Sequence, residues 1–567
     1  MALPASGNSI SLDQIHVELG ESSGGTVALG DDDVRALASD TSGAIGMDQF
    51  FGLSAVDYWF TSFTGAGEFD ATATTNLFHG QQHWEMAHSP QVGPNGEVYV
   101  TAWCKTGGYN YQHNAFLMLP ADGTKTGYRH MEVRLRGATS GFAHGSHQGY
   151  ERRDNSITSI NSSNEFFSIS WSGNGSYNDT NSSVNQGFSI TKIIHDSSNA
   201  ARLDVTSGCW FSANHSQFGT RDSNAGVLLD GSNLIVPSRL QGGDSCISVL
   251  TTSFGSPKIA VYSNTSTATR ETPRDIIKDG SNYLTCGLGY ESNNTAFVYR
   301  FGISGTTPGA GVGAVLTKAN IRGTCLARDS SGNIFLAGED WGNHKSGGGN
   351  SFCSFVAKFN SSFAIQWQKV IGSGETGGGE TGYFVPMGLK MSGSNVILMS
   401  NNDGGVNSDL NGIHLCELAS SNGAIQWQRN IEYEPTYFGN GADDANYRTH
   451  KNGAIGTYSG KMLEVTSSAI VACLKNVVIQ IPLNGDIDNG SYAGSTDDGA
   501  SANNEIFKVT TPSLTLSDLG ASAATRNWNV DTSTYTGAIV KSTDTNVGNQ
   551  THVYNHSMRF STIDPTA

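Results

Sequence analysis

The residues best suited to chemistry in this chain are a set of histidines. The phrase "HGQQHWEMAH" at 79–88 brings His79, His83, Glu85 and His88 together, and imidazole and carboxylate are good ligands for a divalent metal. The spacing is not H-E-x-x-H, so it does not place two histidines on one helical turn beside a general base. A structural role is therefore expected, with no metal and no other cofactor. His144 and His147 in "HGSHQGY" and His215 in "ANHSQF" recur in similar connecting text. Their ordinary pKa lies near neutrality, which makes a pH-sensitive cluster the alternative reading.

Carboxylates form the second set. The glycine-rich "GETGGGETG" and the acidic "ADDAN" offer Glu375, Glu380, Asp443 and Asp444, the residue type that hydrolyses glycosidic bonds when two stand at the right separation. Linear order does not give that separation. No G-x-S-x-G elbow, phosphate loop or Cys–His signature stands in the chain. The most basic stretch, "KTGYRHMEVRLRG", alternates Arg134 and Arg136 with Val133 and Leu135, as the exposed face of a strand would. These residues lead to the expectation that the chain is not an enzyme, with glycan degradation kept as an alternative.

Whatever the chemistry, a repeated scaffold must position it. "AIQWQKVIGSG" begins at Ala364 and "AIQWQRNIEYE" at Ala424, and the text before each copy also corresponds: "SSGNIFLAGED" against "SGSNVILMSNND". The unit is about sixty residues long. In all, the copies of its first recognisable strand are "NGEVYVTAW" (Val98), "SNEFFSISW" (Phe166), "GSNLIVPS" (Leu234), "GSNYLTCG" (Tyr283), "GNIFLAG" (Ile334), "SNVILMS" (Val396) and "SSAIVACL" (Ile470). In most copies a Gly, Ser or Asn turn opens a short β-branched and aromatic run, the signal of a buried strand. A second strand follows in each, from "NAFLML" to "VVIQIPL", and the tryptophan strand is a third. Spacings of 49 to 74 residues suit a ring of four-stranded sheets with variable loops.

This text resembles the seven-bladed β-propeller repeat family, most closely in "DSSGNIFLAG" (329–338) and "FVAKF" (355–359). The resemblance implies an all-β ring over 55–486. "YWFTSFTGAG" at 58–67 has the tryptophan-strand spacing but precedes the first complete unit, and the last unit lacks such a strand. An N-terminal strand that completes the last blade accounts for both and removes open sheet edges. In such a ring the histidines named above rim one face of the channel. The loops between second and third strands present Tyr109, Tyr111, Tyr177, Trp341 and His344, rings able to stack on a sugar.

Composition agrees. The 567 residues include 70 glycines, and only 15% of residues are charged, which fits an all-β chain with many turns. A net charge of −17 with 33 Lys and Arg argues against a nucleic-acid groove. No run of eighteen apolar residues occurs, and "MALPASGNSIS" is not the start of a signal peptide, so no membrane insertion is expected. Eight scattered cysteines without a CxxC pair read as buried free thiols.

Residues 1–54 carry a different rhyme: "SISLDQIHVELG", "TVALGDDDVRALA", "AIGMDQFFGLS". Ser11 and Gln14 have capping-box spacing ahead of Ile15 and Leu19, in a segment too small to be stable without a neighbour. It resembles the N-terminal module of tail-associated proteins of tailed bacteriophages, of the form S-I-S-L-x-x-I with an acidic linker and a closing aromatic phrase, here with Phe51 and Gly46 at positions where Tyr and Ser are usual. The resemblance implies a virion tail location, docking to other tail proteins through 1–54, and homo-oligomers in the particle. A host surface glycan or receptor is the expected partner of the disc, and a purely architectural disc is the alternative. Residues 487–567 fit no further repeat and read as a C-terminal β extension that packs on the disc or on a neighbouring subunit.

Overall fold

The computed structural model describes residues 58–65, 86–106, 111–121, 123, 129–133, 155–161, 165–172, 187–195, 203–212, 226–239, 245–255, 258–263, 271–289, 295–340, 353–372, 383–403, 411–434, 461–474, 477–494, 505–512, 514–531, 538–542 and 558–563. The docking text at 1–54 lies outside them. Among the described residues every regular element is a strand, so the chain is all-β, and its sheets are propeller-like.

Strand β1 (Trp59–Gly65) comes first. A four-stranded antiparallel meander follows: β2 (Met86–Val92), β3 (Val98–Thr106), β4 (Tyr111–Leu119) and β5 (Arg129–Val133). The same order recurs in β6 (Asn155–Ile157), β7 (Glu165–Ser172), β8 (Gly187–His195) and β9 (Leu203–Ser212). The next meander is β10 (Leu228–Asp230), β11 (Asn233–Arg239), β12 (Ser245–Thr251) and β13 (Lys258–Ser263). It is followed by β14 (Glu271–Asp279), β15 (Asn282–Gly289), β16 (Thr295–Ser304) and β17 (Thr307–Leu316). Then come β18 (Ile321–Arg328), β19 (Ile334–Asp340), β20 (Cys353–Phe359) and β21 (Ile365–Gly372). The sixth in chain order is β22 (Tyr383–Ser392), β23 (Asn395–Asp403), β24 (Asn411–Leu418) and β25 (Ile425–Glu434). Finally β26 (Leu463–Val465), β27 (Ala469–Leu474) and β28 (Val477–Pro482) supply three strands, and their fourth is β1, in the register Trp59↔Gln480 to Ser62↔Val477.

Burial on both faces explains the apolar runs of the middle strands. Each meander packs on the next in chain order. Tyr99 meets Phe166 at 5.3 Å, and Phe167 and Ile169 share a core with Leu234 and Val236. Tyr262 and Ile235 pack with Phe297 and Tyr299, and Leu284 and Val298 with Leu326 and Leu336. Phe335 and Val356 meet Leu398 and Cys416. One further cluster joins Met399 and Leu415 to Ile470 and Ile479, and those to Val98 and Leu117 of the first meander. The packing thus returns to its start.

The repeated tryptophans sit at these joints. Trp367 of β21 lies on Gly423, and Trp427 of β25 lies on Gly485. Both glycines have positive φ, +74° and +65°, and a Cβ there would come to 2.8 Å and 2.5 Å of the indoles. Each turn follows the third strand of the next meander, so the tryptophan text repeats because each indole fills the same inter-sheet gap. Trp59 of β1 lies in the same way on Gly123 of the first meander.

Strands from residue 490 onward then run back along the outer edges. β29 (Gly490–Gly494) pairs with β30 (Glu505–Thr510), and β30 with β25. β31 (Thr515–Ser517) pairs with β21, and β32 (Ala523–Asp531) lies between β17 and β13, joining two meanders into a nine-stranded sheet. β33 (Ala538–Ser542) pairs with β9, and β34 (Met558–Ile563) with β1. Within β32, Trp528 is fully buried, stacks on Tyr299 at 4.7 Å and donates to Glu271 Oε2 at 2.8 Å.

Candidate functional site

The first strand of each meander faces away from the outer edge, and it is there that polar groups are buried. Four of these strands are interrupted at comparable places. In β14 the pairing passes from Pro273↔Gly287 to Asp275↔Cys286, leaving Arg274 out of the ladder. In β18 it skips Thr324, in β22 it skips Met387, and in β2 it skips Ser89 and Pro90. A bulge of this kind bends the strand and re-aims one side chain. The skipped Ser89, Arg274, Thr324 and Met387 are all buried.

Around these bulges a network spans several meanders. Asp275 accepts from Lys461 Nζ at 2.6 Å, from the Leu326 amide at 2.8 Å and from the Ile276 amide at 2.7 Å. Lys461, just ahead of β26, also donates to the Ile276 carbonyl at 3.0 Å. Glu464 on β26 accepts from Lys390 of β22 at 2.7 Å and from Gln91 of β2 at 3.4 Å. The β14 and β26 meanders are therefore tied directly, although two others separate them in the chain.

Electrostatics follow from burial. Cys286 and Cys325 are fully buried, and desolvation, reinforced by Asp275, pushes both thiols well above their ordinary pKa. Burial would lower the Lys390 pKa, but Glu464 and Asp275 outweigh it and raise it. Lys390 therefore stays charged at neutral pH, and the two thiols stay protonated and unreactive. Cys246, Cys286, Cys325, Cys353, Cys416 and Cys473 are buried and form no disulfide.

A second buried polar group lies between the β18–β21 and β22–β25 meanders. Ser354 Oγ meets Ser400 Oγ at 2.8 Å, and Ser400 pairs with His414, which meets the Phe384 ring edge-on at 5.5 Å. Desolvation pushes the pKa of His414 down to about 4, against a smaller opposing effect of Gln428.

The residues singled out in the sequence fall elsewhere. Tyr111 opens β4 opposite Thr106, and His88 lies within β2 opposite Thr101. Tyr109, Tyr177, Trp341, His344, His79, His83, His144, His147 and His215 lie outside the described residues, as do Glu375, Glu380, Asp443 and Asp444. Among the described residues no three His, Cys, Asp or Glu side chains are placed to hold a metal. The network around the bulges escaped the sequence reading because its members come from distant strands. One signal was present: Pro90, Pro273 and Pro386, each within strand-like text, where proline marks an edge or a bulge.

No family model matches the chain, and no curated protein does. Among solved structures, it is similar to a GH43 β-1,3-galactosidase at 11% identity, over 79% of this chain and 90% of that one, with a TM-score of 0.25. It is also similar to a xylan β-1,4-xylosidase from Bacillus halodurans C-125 at 6% identity, over 81% and 98% of the two chains, with a TM-score of 0.26. An AtxE2 isopeptidase in its apo form follows at 10% identity, over 66% and 58%, with a TM-score of 0.20. The expectation that this chain is not an enzyme is corrected by these comparisons, because the structures it is similar to are named as enzymes, two of them glycosidases. At such TM-scores the likeness assigns no reaction to this chain.

Proposed function

We propose that the chain is a tail-associated virion protein of a tailed bacteriophage, in which a seven-bladed propeller presents its loops to a host surface glycan or receptor. The meanders described above are its blades, with β1 completing the last. Residues 1–54 dock to other tail proteins, and the particle holds the chain as a homo-oligomer. The phage reading is supported by the "SISLDQI" and "MDQFFG" phrases.

The observation that carries the reading of a mounted disc is the position of β1. Directly after the docking text, the chain enters the interior of a sheet, between β28 and β34. A segment that docks at 1–54 is thereby coupled to a rigid body, and loops on a rigid body are where recognition sits. Fold alone would not decide function.

The test is binding of the purified full chain to host cells and to their extracted surface polysaccharide, with reducing ends measured in the same incubation. Saturable binding supports recognition, and new reducing ends show that the glycan is also cut. Binding to neither cells nor polysaccharide overturns the reading in favour of a purely architectural disc.

A further inference from the structure

We infer that Arg274 is the anion-binding residue of an axial site that takes a carboxylate group. Four observations carry this. Arg274 is the residue left out of the ladder at the β14 bulge, so its side chain is not committed to either face of the regular sheet. It is 3% exposed. Its Nε makes no hydrogen bond among the described residues. At comparable bulges the skipped residues Ser89, Thr324 and Met387 are uncharged, so the ring carries one special position and not a structural repeat.

The commitments of the neighbouring charges point the same way. The charged groups acting on Cys286 and Cys325 are Arg274, Lys461, Asp275 and Glu339, and Lys390 and Glu464 adjoin them. Asp275 is committed to Lys461 and two backbone amides, and Glu464 to Lys390 and Gln91. Glu271, on the same strand, accepts from Trp528. Among the described residues Arg274 has no ion-pair partner. A guanidinium removed from water without a counter-charge is strongly unfavourable, and a planar carboxylate meeting its fork of N–H groups is the geometry that relieves it best. The Lys390 and Glu464 side chains are 34% and 22% exposed, so the network meets solvent at that pair. The carboxylate can come from a small organic acid or from an acidic sugar. This inference stands apart from surface recognition by the loops.

The experiment is a titration of the intact chain, at constant ionic strength, with acetate, glucuronate, neutral glucose and chloride, followed by melting temperature and calorimetry. Acetate and glucuronate are expected to raise the melting temperature and to bind, and glucose is not. In Arg274→Gln the affinity should fall by about tenfold or more, with partial retention in Arg274→Lys. Response to acetate without glucuronate assigns the site to small acids, and response to both admits acidic sugars. Equal stabilisation by chloride, or no carboxylate response in the wild-type chain, overturns the inference. The wild-type titrations stand even where a substituted chain does not fold, and they use no cells or polysaccharide, so their outcome is independent of the binding test above.

Discussion

The indole of Trp59 lies over Gly123, and its Nε1 donates to the carbonyl of Ala121 at 2.7 Å. This pair joins the last sheet to the first. Gly123 has a φ of +66°, and a Cβ there would overlap the indole. Gly123→Ala should therefore cost about 2–4 kcal/mol from left-handed strain and overpacking together. Gly280→Ala is the control: its φ is +62° but nothing lies within 4 Å of the added carbon, so only the strain of about 1 kcal/mol is expected. Urea denaturation of both variants measures the difference, and equal losses would show that the joint is slack.

Two truncations examine the same closure on a larger scale. Removal of residues 1–54 should leave a cooperatively unfolding chain, since β1 begins at Trp59. Removal through residue 66 takes away β1, unpairs β28 and β34 and empties a Trp-sized space worth about 3–5 kcal/mol. The second product should aggregate or melt far lower. Identical melting of the two would refute the closure.

Breaking the Asp275–Lys461 ion pair should be severe. Asp275→Asn leaves Lys461 charged and partly buried without its partner, with an expected loss of about 3–5 kcal/mol. Asp275→Asn combined with Lys461→Met removes the stranded charge and should recover much of it. A double-mutant cycle by chemical denaturation reads the coupling.

His414 makes stability fall in acid. Its folded pKa of about 4 lies below the ordinary 6.5, so as pH drops the unfolded chain takes up its proton first. The stabilisation is fully present above the unfolded pKa and is lost as pH falls from there through the folded value, by about 3 kcal/mol in all. The difference in unfolding free energy between the wild type and His414→Gln, followed from neutral pH to about pH 4, should shrink or change sign on acidification. A difference that does not vary with pH would place the proton elsewhere.

The middle strands were legible because they are local text: a turn residue, then an apolar run, as in "SSGNIFLAG" and "FVAKF". Trp59 was legible for the same reason, since its spacing matched that of Trp367 and Trp427. The bulged first strands were less so. Their interruption at Arg274, Thr324 and Met387 breaks the alternation that marks a strand, and their polar residues pair between different sheets, Asp275 with Lys461 and Lys390 with Glu464. Sequence order holds no trace of such partners. Trp528 shows the same limit: only the folded chain reveals that it enters between two sheets and meets Glu271.

The position of β1 also has a mechanical side. Tension arriving along the chain at residue 58 acts on a strand held on both sides by antiparallel neighbours, in the registers Trp59↔Gln480 to Ser62↔Val477 and Phe60↔Ile563 to Gly65↔Met558. A strand at a free edge would peel, breaking its hydrogen bonds one after another. One gripped between two partners must slide past both, so its bonds resist together. A pull on the N-terminus is thus passed into the sheet as shear, and the C-terminal strand β34 acts as the outer jaw of the grip.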